Sequence, residues 1–578
     1  MNRNNEYRFN LAPTVTTPRS TFTMHQNIRT TFNAGLLIPF YVDSDIMPGD
    51  TFKVNGTFVV RQSTPIYPTM DNSFLDVFFF FIPHRLVWDH WKEFWGENTT
   101  GAWTLTTEYE IPQITFAKSG SSYPVEKGNA LQYMGIPISA TTTSDGYSIN
   151  ALPWRAYALT WNEWFRDENV CPPFNIYKGD NTCQLSDDGS APSLGWGYYN
   201  TVNPTRLPRL CAPVYKYKDY FNACLPEPQK GDPITLPIGY SAPVSIFGTG
   251  KALGLEGKNN NNNTTYEGLI AASNDEILRN NDAYNRDIGY SAGGNSSAKV
   301  QTVLGLTTEA DKSGIAGIAD LSNAVAATIN AQRYAFAAQR ILEQKARTGT
   351  RYTEIIKGFF GVTSPDARQQ RPEYLGGKRI PISMNQVAQT SSTDNTSPQG
   401  NVAAFSLTVD SDRMFTKSFT EHGTILGLLC VRQEHSYDQG INRMWSRKKV
   451  LDFYQPQMAF LGEQAVLNKE IYATGTSQDE QVFGYNERWA ELRYKPNINT
   501  GAFSTQYAQS LDAWHYGDSY SALPVLSDEW RKETKDYIDR TLAVTSATED
   551  QYIMDSRLEM TATRPIPMYS IPGLLDHF

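Results

Sequence analysis

The chain has 578 residues, with 51 Lys and Arg against 60 Asp and Glu, for a formal net charge of −9. That balance excludes a protein that coats nucleic acid with its whole surface, which needs an excess of cations to neutralise phosphate. A composition with 12% aromatic residues, 41 Gly and 32 Pro predicts a turn-rich β protein with much contact surface, either one large all-β domain with long insertions or several domains.

The N-terminal stretch MNRNNEYRFNLAPTVTTPRSTF has no apolar h-region and no small-residue cleavage site. No stretch approaches the about 18 continuous apolar residues of a membrane span. Residues 1–34 form a basic arm rich in Pro and Thr, with Arg3, Arg8, Arg19 and Arg29 against Glu6. They predict an extended segment that meets phosphate or a neighbouring subunit; a solvated terminus is the alternative.

Residues 35–42 (GLLIPFYV) and 50–63 (DTFKVNGTFVVRQS) read as strands. In the second, Phe52, Val54, Phe58 and Val60 share one face by period two, and Lys53, Asn55, Thr57 and Arg61 the other. Residues 74–82 (FLDVFFFFI) are apolar on both faces, the pattern of a strand covered on both sides. Two aromatic helices are expected next. Residues 84–95 place Val87, Trp91 and Trp95 at helical spacing before Gly96; residues 154–167 place Trp154, Tyr157, Ala158, Trp161, Trp164 and Phe165 on one stripe. Such helices pack on a sheet or on a partner subunit.

Composition changes over residues 178–317, which are rich in Gly, Ser, Asn, Thr and Ala and include the run Asn259, Asn260, Asn261, Asn262 and Asn263. So few large apolar residues cannot sustain a core alone, so the stretch predicts a surface insertion, with a disordered linker as alternative. A long helix is expected over 320–347, capped by Asp320 or Ser322 and stopped by Gly349. Short strands are expected over 402–409, 419–431 and 453–461, and the proline-rich end RPIPMYSIPGLLDHF predicts an extended tail.

Little of this carries chemistry. Cys171, Cys183, Cys211, Cys224 and Cys430 are odd in number without CxxC spacing, which predicts free thiols in a reducing compartment. His84 and His90 are six apart and make no HExxH-type pair. His422 and His435 read as structural. The segment GTGKA at 248–252 lacks the remaining residues of a phosphate loop. A basic cluster, Arg443, Arg447, Lys448 and Lys449 with Trp445 interleaved, has the cation–aromatic mix that suits single-stranded nucleic acid; a solvated loop is the alternative. A second cluster, Arg368, Arg371, Lys378 and Arg379, is diluted by Asp366 and Glu373. No catalytic residue, metal site or cofactor is predicted.

Four long strings are specific. FKVNGTFVVRQSTPIYPTMDNSFLDVFFFFIPHRLVWDHWKEFWGEN (52–98), LPWRAYALTWNEWFRDEN (152–169), RYTEIIKGFFGVTSPDARQQRPEYLGG (351–377) and FGYNERWAELRYKPNINTG (483–501) closely resemble major capsid proteins of gokushoviruses, in the microvirus family of small single-stranded DNA bacteriophages. The resemblance implies a mainly β protein, an eight-stranded antiparallel jelly roll whose long inter-strand insertions contain a few helices. It implies a non-enzymatic shell-builder that forms, through pentamers, a T=1 icosahedral capsid of sixty copies around circular single-stranded DNA. Implied partners are further copies of the chain across twofold and threefold contacts, the packaged DNA, a small basic DNA-binding protein, a pilot protein, a scaffolding protein and a host surface receptor.

The expected partition follows: arm 1–34, first part of the jelly roll 35–177, variable insertion 178–317 as a threefold protrusion, helix and remaining jelly roll 318–563, tail 564–578. DNA contact is expected at Arg3, Arg8, Arg19, Arg443, Trp445, Arg447, Lys448 and Lys449, and receptor contact at Asn259–Asn263. The chief rival is a carbohydrate- or receptor-binding β-sandwich of a phage fibre or secreted lectin. A glycoside-processing enzyme is a weaker one, since no carboxylate pair stands out.

Overall fold

The phenylalanine run at 78–81 sets the architecture. In the computed structural model it lies in a strand, Ser73–Pro83, whose side chains pack on both of its faces within one hydrophobic core. Phe79 meets Phe40 and Phe415 at ring-centroid distances of 5.8 and 5.4 Å, and Phe81 meets Phe419 at 4.5 Å. Phe78 and Phe80 point to the opposite face, against Phe165 at 5.2 Å and Trp164 at 5.3 Å. A strand covered on both faces has no use for polar alternation, which accounts for the sequence.

The structure describes residues 18–99, 108–116, 125, 127–138, 147–185, 206–208, 210–232, 234, 244–248, 255–259, 265–267, 302–306, 315–319, 329–393 and 398–569. The chain divides into two units, one made of Met1–Gly231 with Leu342–Phe578, the other of Asp232–Ile341.

Among the described residues, the two largest sheets of the first unit are made by the strands β1 (Ser20–Phe32), β2 (Ile38–Ile46), β3 (Thr51–Gln62), β4 (Ser73–Pro83), β5 (Glu373–Pro381), β6 (Thr408–Ser418), β7 (Gly423–Gln433) and β8 (Tyr552–Arg564), with shorter strands outside them. Both sheets are four-stranded and antiparallel, in the orders β1-β8-β3-β6 and β5-β4-β7-β2. Chain-distant strands are neighbours in both sheets, the connectivity of a jelly roll. The inner faces meet through Phe40, Phe58, Phe79 and Phe415. β3 shows the expected alternation, with Phe52, Val54, Phe58 and Val60 buried and Lys53 and Arg61 exposed.

Helix α1 (Leu152–Thr160) continues into a five-residue π turn, Trp161–Phe165. Pro153 suits its first turn, where no intrahelical N–H is needed. Trp154, Tyr157, Ala158 and Trp161 are fully buried, and Tyr157 donates to the Leu37 carbonyl at 2.7 Å and accepts from Ala212 N–H at 2.8 Å. The expected aromatic stripe therefore packs on the second sheet.

Several expectations are corrected. Residues 84–95 are not one helix: they form a 3-10 turn, His84–Leu86, and one helical turn, Trp91–Phe94. Trp88 Nε1 and His90 Nδ1 both bind Asp180, at 2.7 and 2.9 Å, and this tertiary anchor breaks the local period. Most of the described part of the expected arm is β1, paired along its whole length with β8. β8 itself alternates from Tyr552 to Ala562, a strand in a stretch where the sequence suggests no element. Residues 453–461 contain no strand, only a 3-10 turn at Pro456–Met458. Residues 210–231, expected in the insertion, belong to the first unit, with Tyr220, Phe221 and Cys224 in a second apolar cluster.

In the second unit, Val244–Gly248 pairs with Ile315–Ala319, and Leu255–Asn259 lies between Thr265–Glu267 and Thr302–Leu306. The long helix α2 is described over Ile329–Thr348; its expected caps Asp320 and Ser322 lie outside the described residues. Gly349 follows with φ +95°, the left-handed geometry that stops a helix. Helix α3 (Tyr352–Phe360) comes next.

Candidate nucleic-acid and assembly surfaces

The basic cluster is divided by its own hydrogen bonds. Arg443 caps a buried carboxylate: its Nη2 and Nε reach Glu470 Oε1 at 2.7 and 3.1 Å, and Nη2 also meets the Ala465 carbonyl. Tyr220 OH donates to the other Glu470 oxygen at 3.0 Å. Arg447 Nη2 reaches Glu491 Oε1 at 3.1 Å, and its guanidinium lies over Phe453. Two of the four cations are thus committed to internal carboxylates. Lys448 and Lys449 are exposed, and their backbone N–H groups donate to Asp452 Oδ2 at 2.8 and 2.7 Å. Trp445 is 75% exposed.

The other expected contacts are scattered. Arg19 donates to the Gly49 carbonyl at the start of β1. Arg3, Arg8 and Asn260–Asn263 lie outside the described residues; Asn259 ends a strand of the second unit. In the second cluster, Arg371 pairs with Asp366 and stacks on Trp164 at 3.9 Å, Lys378 bridges Asp410 and Asp412, and Arg379 pairs with Asp76. Pairing of this kind removes cations from competition for phosphate.

The outer face of the β1-β8-β3-β6 sheet is polar. Thr21 and Thr563 share a hydrogen bond of 2.9 Å, Thr51 and Ser418 one of 2.8 Å, Thr57 and Ser411 one of 2.9 Å. Such cross-strand hydroxyl pairs support a sheet that keeps one face open.

The titratable groups are structural. His84 Nε2 lies 3.0 Å from Thr424 Oγ1, and burial holds its pKa down at about 4. His422 stacks on Trp95 at 4.4 Å. His435, Asp518, Glu533 and Lys216 form a buried network: His435 donates to Asp518 at 2.5 Å and to Glu533 at 3.2 Å, and Lys216 to Asp518 at 3.0 Å. Burial alone would lower the imidazole pKa, but the two carboxylates outweigh it and raise it to about 9. All five cysteines are free and buried, and burial pushes the Cys430 thiol up to about 12, the condition of an inert thiol. Among the described residues no group of three or more His, Cys, Asp or Glu could hold a metal ion.

What sequence reasoning missed is apolar surface. Val450, Leu451, Phe453, Tyr454, Phe460 and Leu461 are all at least half exposed, in a segment whose apolar density suggests a buried strand.

The match to known proteins spans the chain. Residues 11–574 fit the family model described as "Capsid protein (F protein)". The chain is 37% identical over 590 residues to "Capsid protein VP1" of Bdellovibrio phage phiMH2K, covering 100% of this chain and 99% of that protein. It is 35% identical over 598 residues to "Capsid protein VP1" of Chlamydia phage 1, covering 98% and 97%. It is 37% identical over 559 residues to "Capsid protein VP1" of Spiroplasma virus 4, covering 95% and 94%.

Proposed function

The chain belongs to the phage capsid protein (F protein) family, and from that premise we infer that it builds a T=1 icosahedral shell of sixty copies, through pentamers, around circular single-stranded DNA. As a member of the family it is a structural, non-enzymatic protein of the virion that assembles with copies of itself. The observation that carries the finer reading is the strand order β1-β8-β3-β6 and β5-β4-β7-β2: a double-sheet jelly roll has strand ends and long loops free on its rim, where closed rings of subunits can meet.

Charge divides the work of packaging. A chain with net charge −9 cannot neutralise a genome by itself, so a small basic DNA-binding protein supplies most of the countercharge. Direct DNA contact falls to the arm, through Arg3, Arg8 and Arg19, and to Lys448 and Lys449, with Trp445 as a ring on which a base can stack. Arg443 and Arg447 hold that loop in place instead. A scaffolding and a pilot protein act in assembly and delivery, and the second unit, with Asn259–Asn263, offers the contact to a host receptor.

The test is the mass of the assembled particle. Sixty chains of 64.9 kDa amount to about 3.9 MDa of protein in a T=1 shell. A uniform protein mass far from that value would refute the copy number. Deleting residues 259–297 should leave that mass reduced only by the missing residues while adsorption to the host falls; loss of the shell would count against a peripheral role.

A further inference from the structure

The geometry points to the segment Val450–Leu461 as a contact surface whose occupant is a second copy of this chain, an inference that rests on the shell reading above. Within these twelve residues Phe460 is 94% exposed, Val450 75%, Leu451 64%, Leu461 59%, Phe453 53% and Tyr454 50%. With 150–250 Å² for a fully exposed aromatic side chain and somewhat less for an aliphatic one, these six expose on the order of 700 Å². One partner of a standard interface buries about 800 Å². A single segment thus supplies most of one side of an interface.

The segment is also prepared for burial electrostatically. Its only ionisable carboxylate, Asp452, already accepts two backbone N–H groups, from Lys448 and Lys449. The segment is otherwise free of charged side chains, as the charge-poor centre of an interface requires, and Asp452 sits at its start beside the two lysines. Its shape is fixed from beneath, with Tyr454 edge-on to Trp489 at 5.5 Å and Phe453 under the Arg447 guanidinium at 5.6 Å. A surface already held in one shape loses little entropy on binding. Lys448 and Lys449 stand just before the patch, so they can remain at its rim, open to phosphate.

A second copy is favoured as occupant because self-association is the one partnership that family membership carries, and a closed shell demands several interfaces from each chain. The sequence supports this from another side. A stretch as apolar as VLDFYQPQMAFL that finds no strand partner or core in its own chain is one whose burial lies between chains.

The experiment places a photo-crosslinking phenylalanine analogue at position 460 of the full chain, expressed with the other phage proteins, and irradiates purified particles. The expected product is a chain-to-chain dimer near twice 64.9 kDa, absent when particles are dissociated before irradiation. In parallel, Phe460→Ser combined with Leu451→Ser should give a soluble chain with a near-unchanged melting temperature and a particle yield at least tenfold lower. Crosslinks only to another component, or no crosslink in intact particles, would overturn the inference, and so would unchanged yield and thermal disassembly of the double variant. If the unsubstituted chain forms no particles, the shell reading itself fails and this inference with it.

Discussion

His435 Nδ1 donates to Asp518 Oδ1 at 2.5 Å, with both side chains fully buried. The imidazole is held charged by Asp518 and Glu533 against the pull of burial, at about 9 instead of its ordinary 6.5. Asp518 is pulled the other way: burial disfavours its charge, but Lys216 and His435 hold its carboxyl well below the ordinary 3.8. A raised histidine contributes stability that is complete below pH about 6.5 and is lost as pH climbs through about 9. A depressed aspartate contributes stability that is present above about 3.8 and is lost as pH falls below it. The melting temperature of the unassembled chain should therefore hold a plateau between these limits and decline from neutral to alkaline pH. His435→Gln should flatten the alkaline decline and, by leaving two buried carboxylates short of a partner, cost about 3–5 kcal/mol. An unchanged slope in the variant would remove the network as its cause.

Arg443 and Lys448 are five residues apart and should behave oppositely. Arg443→Gln strands Glu470, whose side chain is only 3% exposed, at a cost of about 3 kcal/mol. Lys448→Gln removes a solvated ammonium and should stay within about 0.5 kcal/mol of the unsubstituted chain. Chemical denaturation of the two variants reads the difference directly.

Nucleic-acid binding has its own signature. Replacing Arg3, Arg8, Lys448 and Lys449 with Gln should cut the slope of log K against log salt for single-stranded DNA by about 3, at about 0.7 for each phosphate left without its cation. Pentamers titrated with a short oligonucleotide at several salt concentrations give that slope. No change would exclude these four from the DNA-facing surface.

Phe79 and Phe80 test the two faces of β4 separately. Phe79→Ala empties the space between the sheets, lined by Phe40 and Phe415, and should cost about 3–5 kcal/mol. Phe80→Ala opens the seam with Trp164 and Tyr374. It should cost a similar amount while quenching or shifting tryptophan fluorescence, which Phe79→Ala should change less.

These residues also show what the sequence reveals. β3 and β4 are legible because one strand faces water on one side and the other faces none, and each condition leaves its own pattern. β8 escapes a sequence reading although it alternates, because its buried positions include Ser556 and Ala562, weak strand formers that depend on neighbours for burial. β1 reads as an arm from its charges, and its pairing with β8, over five hundred residues away, has no local signal. The break in the 84–95 helix depends on Asp180, equally hidden from the local pattern. Residues 453–461 mislead because apolar sequence announces burial without saying in which chain. The basic cluster is legible as a cluster, but Glu470 and Glu491, which claim half of it, come from two short helices, Asn468–Ile471 and Ala490–Arg493, further along the chain.

Sedimentation of the purified chain, alone and expressed with its viral partners, addresses the shell most directly. The expected result is a pentamer of five 64.9 kDa chains, about 325 kDa, when the chain is alone, and round particles of uniform size when the partners are present. A folded monomer under both conditions would contradict it.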